Sequence, residues 1–295
     1  MSLLGPSIGF GLVTASILAL AAVGFTIQFG VTNVLNLAYG EVMGAAGFIA
    51  LLVNKAGVSI WICLVIGAMF GAASSYALNR AILVPYIRRG TRLFGMVIVT
   101  VAVGLVIENT ILAIGGPTFF SYKLPHQSTF HVGSLIFTGF QVAIIGLAVV
   151  CMIVVHGVLR YTKLGIAMRA TSAENSLARS CGIRTERIID IAWLISGTMC
   201  GLAGVTLFIN TATFTSATAN EFLVVIVAAA VLGGVGHAYG AMLGALVLGL
   251  TTEISAAYID PAYKNVTAFV ILVIVLLVRP QGILAEIATQ RELAT

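Results

Sequence analysis

MSLLGPSIGFGLVTASILALAAVGFTIQFGVTNVLNLAYG, residues 1–40, contains no charged side chain; the first to follow is Glu41. Such a stretch has no counterpart in a water-soluble domain, where about a quarter of residues are charged. The rest of the 295-residue chain reads the same way: 60% hydrophobic, 8% charged, mean hydropathy +1.10. Further uncharged runs cover 56–79, 124–159, 191–220, 222–252 and 265–278. A membrane-spanning helix needs about 20 mostly apolar residues, and several runs are long enough. A barrel strand alternates polar and apolar residues, whereas these runs are apolar on all sides. The expected fold is therefore all-α: a polytopic transmembrane helical bundle of about 8–9 segments, some short or broken. Residues 1–295 form a single transmembrane domain in this reading, with a cytoplasmic loop at 160–187. The 32 glycines read mainly as close-packing positions. The opening residues 1–10 lack the basic charge of a secretory signal, so no cleaved peptide is expected. Cys63, Cys151, Cys181 and Cys200 have no metal-ligand spacing and read as unbridged thiols.

The basic residues orient the bundle. Of 15 Lys and Arg, twelve fall in three places. Arg80, Arg88, Arg89 and Arg92 form one cluster, and Arg160, Lys163, Arg169, Arg179, Arg184 and Arg187 a second. Arg279 and Arg291 lie in the tail, while Lys55, Lys123 and Lys264 stand alone. The positive-inside bias puts the three richer regions and the C-terminus in the cytoplasm. Parity then expects crossings over 59–79, 94–114, 135–158, 188–210 and 266–278. It leaves 10–53 and 221–258 as paired segments, each a pair of short spans or a re-entrant pair. Gly30–Asn33 divides the first, and Leu232-Gly-Gly-Val-Gly-His-Ala-Tyr-Gly240 the second. Ala38-Tyr39-Gly40 with Gly44-Ala45 recurs as Ala238-Tyr239-Gly240 with Gly244-Ala245. Interrupted helices in internal repeats mark binding sites in many transporters, and a match this short in a Gly/Ala-rich chain also arises by chance.

Residues 160–187 change character. Thr171 and Glu174 have capping-box spacing, and Gly182 is placed to end a helix in the left-handed conformation. A short helix over about 172–181 is expected there, marginal by itself. It is either an amphipathic helix on the lipid surface or a docking element for a cytoplasmic partner; spacing alone favours the former. No Gly-Lys dipeptide exists, so the usual phosphate-cradling loop of ATPases is excluded. His126, His131, His156 and His237 are too scattered to suggest a zinc site, and no hydrolase triad is legible. Acids within apolar runs are costly unless paired, and suggest function. Glu41 is the pathway candidate. For Glu108 and Glu253, helix-end or cavity-lining roles are favoured over a proton relay, because no intramembrane Lys or Arg is available to pair with them.

Several stretches carry a specific resemblance. Thr162-Lys-Leu-Gly165, Met168-Arg-Ala170 and Ala178-x-x-x-Gly182-Ile183 resemble the cytoplasmic loop of ABC importer permeases. Gly30-Val-Thr-Asn-Val-Leu-Asn36, Ala38-Tyr-Gly-Glu41, Leu232-Gly-Gly-Val-Gly236 and Arg279-Pro-Gln-Gly282 follow in the order of the LivH-type permeases of branched-chain amino acid importers. The resemblance has two departures. The loop motif lacks its Glu, reading Ser176-Leu177-Ala178, so only Ala178 and Gly182 carry over; and Tyr39 stands where His is commoner.

The resemblance implies a permease subunit in a bacterial inner membrane, with no cofactor of its own. Its expected partners are a second permease, two cytoplasmic ATPases that hydrolyse ATP, an extracytoplasmic binding protein, and lipid rather than nucleic acid. Thr171, Glu174, Ala178 and Gly182 are the coupling residues expected. Asn36, Tyr39, Gly40, Glu41, Gly233, Gly234 and Gly236 are the pathway residues expected. The alternatives are an ion-coupled secondary transporter using Glu41 or Glu108, a permease for urea or amides, and, least supported, an intramembrane enzyme.

Overall fold

The computed structural model describes residues 4–124, 129–132, 135–278 and 282. Helix α1 runs Leu4–Thr32, α2 Tyr39–Lys55 and α3 Ile60–Ala77. A π-helical turn, Leu78–Leu83, leads into α4, Val84–Arg88, and then α5, Leu93–Gly115. A two-stranded antiparallel hairpin follows, β1 Thr129–Val132 and β2 Leu135–Thr138, with Thr129 opposite Thr138. The remainder is α6 Gly139–Tyr161, α7 Lys163–Ala173, α8 Asn175–Ser180, α9 Thr185–Thr211, α10 Thr218–Gly233, α11 Ala238–Tyr258 and α12 Lys264–Val278. Among the described residues six helices are long and apolar enough to cross a membrane: Leu4–Thr32, Ile60–Arg88, Leu93–Gly115, Gly139–Tyr161, Thr185–Thr211 and Ala238–Tyr258. The protein is a multi-pass helical membrane protein. Thr218–Gly233 and Lys264–Val278 are shorter apolar helices.

One expectation shifts in detail. Gly30 lies inside α1, and the chain breaks later, over Asn33–Ala38, where Asn33 takes a left-handed φ of 54°. Asn tolerates that conformation better than most residues, so the break falls there rather than at the glycine. The run from Leu232 breaks as expected, with Gly234 at φ 102° and Gly236 at 92°. Of the Arg279–Gly282 stretch only Gly282 is among the described residues, and Arg291 is outside them.

The chain divides into two compact units. The terminal unit comprises Met1–Thr26, Pro125–Val150 and Val224–Thr295. In it Gly249 of α11 meets the backbone of Ala15 on α1, and Gly233 and Gly240 bring the ends of α10 and α11 into backbone contact. Glu253 corrects the expectation that no cation is available to it. The Lys264 ammonium, from the start of α12, lies 2.7 Å from its Oε1, and the Thr14 hydroxyl donates to the same oxygen at 2.9 Å. Lys264 is at a helix start eleven residues away, a reach that charge counting along the sequence does not reveal.

The central unit, Ile27–Leu124 with Cys151–Leu223, is built on α2, α3 and α9. Gly67 and Gly71 of α3 face Gly197 and Gly201 of α9 so closely that a Cβ at any of the four would collide with the opposite helix. Small residues allow this approach, and dispersion between the two backbones holds it where lipid offers no hydrophobic drive. Around this seam Trp193, Cys200 and Cys63 are fully buried. A second cluster closes the other end of α2. Phe208 stacks on Phe214 at 3.7 Å, Phe48 meets Phe120 edge-on, and the Tyr122 hydroxyl donates to the Gly47 carbonyl at 2.6 Å.

Candidate functional site

The stretch leading into α2 is held by α5 and α9. Thr100 of α5 accepts from the Leu37 N–H at 3.2 Å, and its hydroxyl donates to the Val97 carbonyl at 2.8 Å. One turn on, a Cβ at Gly104 would lie 3.3 Å from Glu41 Cγ and 3.6 Å from Ala38 Cα. One more turn brings Glu108, which interacts electrostatically with Glu41. Met96, Thr100, Gly104 and Glu108 follow at i, i+4 spacing, so one stripe of α5 faces α2. Tyr39 is fixed from the other side: its hydroxyl donates to the Ser196 carbonyl at 3.4 Å and its carbonyl accepts the Cys200 thiol at 3.3 Å. Gly40 abuts Ala219 and Leu223 of α10, leaving no room for a side chain.

Asn36, Tyr39, Gly40 and Glu41 are thus gathered and buried in the central unit. Tyr39 is locked into the packing against α9. Asn36 accepts from the Ala38 N–H at 3.1 Å, with its amide nitrogen unpartnered, and neither Glu41 carboxylate oxygen has a hydrogen-bond partner among the described residues. Glu41 lies in the first turn of α2, where the positive end of the helix favours a carboxylate. Gly233, Gly234 and Gly236 belong to the terminal unit, where the first two are buried and the third exposed.

The loop at 160–187 folds differently from the expected single helix over 172–181. It forms two helices, α7 and α8, meeting at Glu174. The N-cap of α7 is Thr162, whose hydroxyl accepts from the Gly165 N–H at 3.2 Å and donates to the Val158 carbonyl at 2.6 Å. Gly165 touches the Leu159 backbone directly, which is why the Thr162-Lys-Leu-Gly165 motif ends in glycine. The expected capping box between Thr171 and Glu174 does not form. Thr171 is buried inside α7, and its hydroxyl donates to the Ala167 carbonyl at 2.8 Å. Glu174 is itself the N-cap of α8, accepting from the Ser176 hydroxyl at 2.7 Å. Those Ser176 bonds hold its fully exposed carboxyl below the ordinary glutamate range. The helix starts earlier because Thr162 offers a cap that is also bonded to α6.

Gly182 ends α8 at φ 85°, with Ile183 N–H donating to the Ala178 carbonyl at 3.1 Å. That is the bond pattern of a left-handed helix stop. Ala178 is turned inward, whereas Leu177 beside it is 62% exposed. This exposed leucine on a short charged loop is a feature that motif reading passed over. A further link is not legible from sequence: the Ser172 hydroxyl, at the end of α7, donates to the Gly30 carbonyl in the last turn of α1. Beneath the loop, Ile27, Cys151, Val155, Met168, Thr198 and Leu202 line an apolar cavity of about 230 Å³.

On the neighbouring helices, Asn79 in the π turn donates to Asp190 of α9 at 3.0 Å, and Arg80 lies 3.8 Å from the same carboxylate. Arg88 pairs with Glu186 at 3.7 Å. Among the described residues no group of three or more His, Cys, Asp or Glu is placed to hold a metal ion.

This arrangement has relatives of known role. The chain is 31% identical over 94% of both proteins to the high-affinity branched-chain amino acid transport system permease protein LivH of Escherichia coli K12. It is 29% identical to the probable branched-chain amino acid transport permease LivH of Methanocaldococcus jannaschii, over 92% of this chain and 90% of that one. It is also similar to the LivM permease protein of E. coli K12, at 28% identity over 92% of this chain and 68% of the other. No solved structure matches. The family described as the branched-chain amino acid transport system / permease component matches residues 7–276, and the chain belongs to that family.

Proposed function

We propose that this chain is a translocating subunit of an ATP-driven importer for branched-chain or related amino acids in a bacterial inner membrane. It pairs with a second permease, as the likeness to both LivH and LivM relatives supports. Two separate ATPases dock on the cytoplasmic side, and an extracytoplasmic binding protein delivers the substrate. The chain contributes no ATPase site and no cofactor. The six long helices, with α2, α10 and α12, supply about nine segments, and the basic clusters orient the loop of α7 and α8 and the C-terminus to the cytoplasm.

The observation that carries the mechanism is the Ser172–Gly30 hydrogen bond. It ties the loop helices to α1 just before the break at Asn33–Ala38, which leads into Asn36–Glu41. ATPase closure moves α7 and α8, and the tie transmits that movement to the break. Thr171, Glu174, Ala178 and Gly182 shape the loop, and the exposed Leu177 contacts the ATPase. Asn36, Tyr39, Gly40 and Glu41 belong to the pathway region, and Gly233, Gly234 and Gly236 provide a second backbone break in the terminal unit.

The test is reconstitution in proteoliposomes with a binding protein, second permease and ATPases from the same organism. ATP-dependent leucine uptake is expected. Uptake by this chain alone, driven by a proton or sodium gradient, would overturn the proposal. Within the complex, Ala178→Trp is expected to uncouple uptake from ATP hydrolysis. Normal transport-coupled ATPase activity in that variant would reject the loop's role.

A further inference from the structure

Asn36, Glu41, Ser75 and Trp193 of the central unit carry buried polar atoms without a partner among the described residues, and Asn36 and Glu41, five positions apart at the start of α2, are of opposite kind. Asn36 is 1% exposed; its Oδ1 is bonded to the Ala38 N–H, and its Nδ2 donors meet no acceptor among the described residues. Glu41 is 2% exposed, and both its oxygens lack a donor among the described residues. Native structures satisfy nearly all buried polar atoms, and an unpaired acid at membrane depth is by default functional. The neighbours do not relieve either group. The Thr100 hydroxyl is directed to the Val97 and Leu35 carbonyls, and Gly104 has no side chain to offer. Glu108 adds a second acceptor beside Glu41, not a donor. No Lys or Arg lies between residues 34 and 54 or 93 and 122.

Glu41 therefore suits a cation with several N–H donors, and Asn36 suits an anionic acceptor. The start of α2, which carries no side-chain cap, adds the positive end of a 17-residue helix. One small molecule brings both complements on adjacent atoms: the zwitterionic head of a free α-amino acid. We propose that Asn36 and Glu41 receive this head in transit, the ammonium at the Glu41 carboxylate and the substrate carboxylate at the Asn36 amide. The inference rests on the transport reading above and deepens it. Urea and simple amides offer N–H donors and a carbonyl but no charge, and so would bond both groups more weakly.

The experiment measures ligand binding to the assembled permease–ATPase complex in nanodiscs without binding protein. The probes are leucine, 4-methylpentanoate (which lacks the ammonium) and 3-methylbutylamine (which lacks the carboxylate). Wild type is expected to bind leucine about tenfold or more tighter than either analogue, the scale of a charge-assisted hydrogen bond. Glu41→Gln should weaken leucine about tenfold while leaving 4-methylpentanoate within about twofold; Asn36→Ala should weaken leucine and spare 3-methylbutylamine. Because Glu41 has no hydrogen-bond partner among the described residues, Glu41→Gln should melt no earlier than wild type, and Glu41→Met, of similar volume, gives a second reading.

The proposal is overturned if wild type does not prefer leucine, or if Glu41→Gln weakens leucine and 4-methylpentanoate equally. It is also overturned if leucine binding is unchanged in Glu41→Gln, or if both Glu41 variants fail to fold. ATP-driven leucine uptake by the wild-type complex is measured in parallel. Its absence would sink the transport reading, whereas uptake combined with any overturning result sinks only this inference.

Discussion

Removing the ammonium of Lys264 leaves the Glu253 carboxylate with only the Thr14 hydroxyl. Breaking a fully buried pair from one side costs about 3–5 kcal/mol. The Lys264 side chain is 40% exposed, so Lys264→Met is expected to cost about 1–3 kcal/mol. The double variant Lys264→Met, Glu253→Gln should recover part of that loss, read as melting temperature in detergent. Glu174 makes the opposite kind of contribution, with its carboxyl lowered by the Ser176 bonds. A lowered carboxyl stabilises in full above its unfolded value and loses that stabilisation as pH falls through the folded value. The N-terminus of α8 should therefore fray only below the ordinary glutamate range, seen as loss of Ser176 amide protection. Sequence spacing identified Glu174 as a capping residue but assigned it to the wrong helix. A box motif specifies two partners three apart, and it does not show that Thr162 begins a helix earlier.

The elements were legible where one physical signal dominates. Uncharged length marks α3, α5, α6, α9 and α12 within a few residues, because the bilayer core demands that length. Signals that depend on a facing helix were not legible. Nothing in 67–71 or 197–201 alone states that these glycines oppose one another. Gly201→Val is expected to destabilise by about 1–3 kcal/mol or more, since its side chain meets the Gly67 backbone. Gly146, on α6, has open space where a Cβ would go. Gly146→Ala should be neutral or stabilise by up to about 1 kcal/mol. The π turn at Leu78–Leu83 is likewise invisible in the composition, yet it is where Asn79 bonds to Asp190 on α9. Asp190→Ala would leave buried Asn79 without that acceptor and is expected to cost about 1–3 kcal/mol, measured by thermal unfolding.

For the whole molecule, the polytopic helical class and the family follow from composition and a dispersed set of short motifs. The chemistry of the proposed pathway does not, because it depends on α5 placing Thr100, Gly104 and Glu108 opposite residues some 65 positions earlier in the chain. The proposed docking surface also emerges only in three dimensions, since Ala178 points inward and Leu177 outward. Leu177→Glu is expected to weaken ATPase association about tenfold or more, through loss of a desolvated apolar anchor, with pull-down of the complex as the measurement. The four thiols divide in a useful way at this scale. Cys63 and Cys200 are buried and Cys151 half-buried, while Cys181 is exposed at the C-terminal end of α8. The chain thus carries its own footprinting reporter. A membrane-impermeant maleimide added to inside-out vesicles should modify Cys181 ahead of the other three, and protection of that thiol would time the arrival and departure of the ATPase without an engineered label.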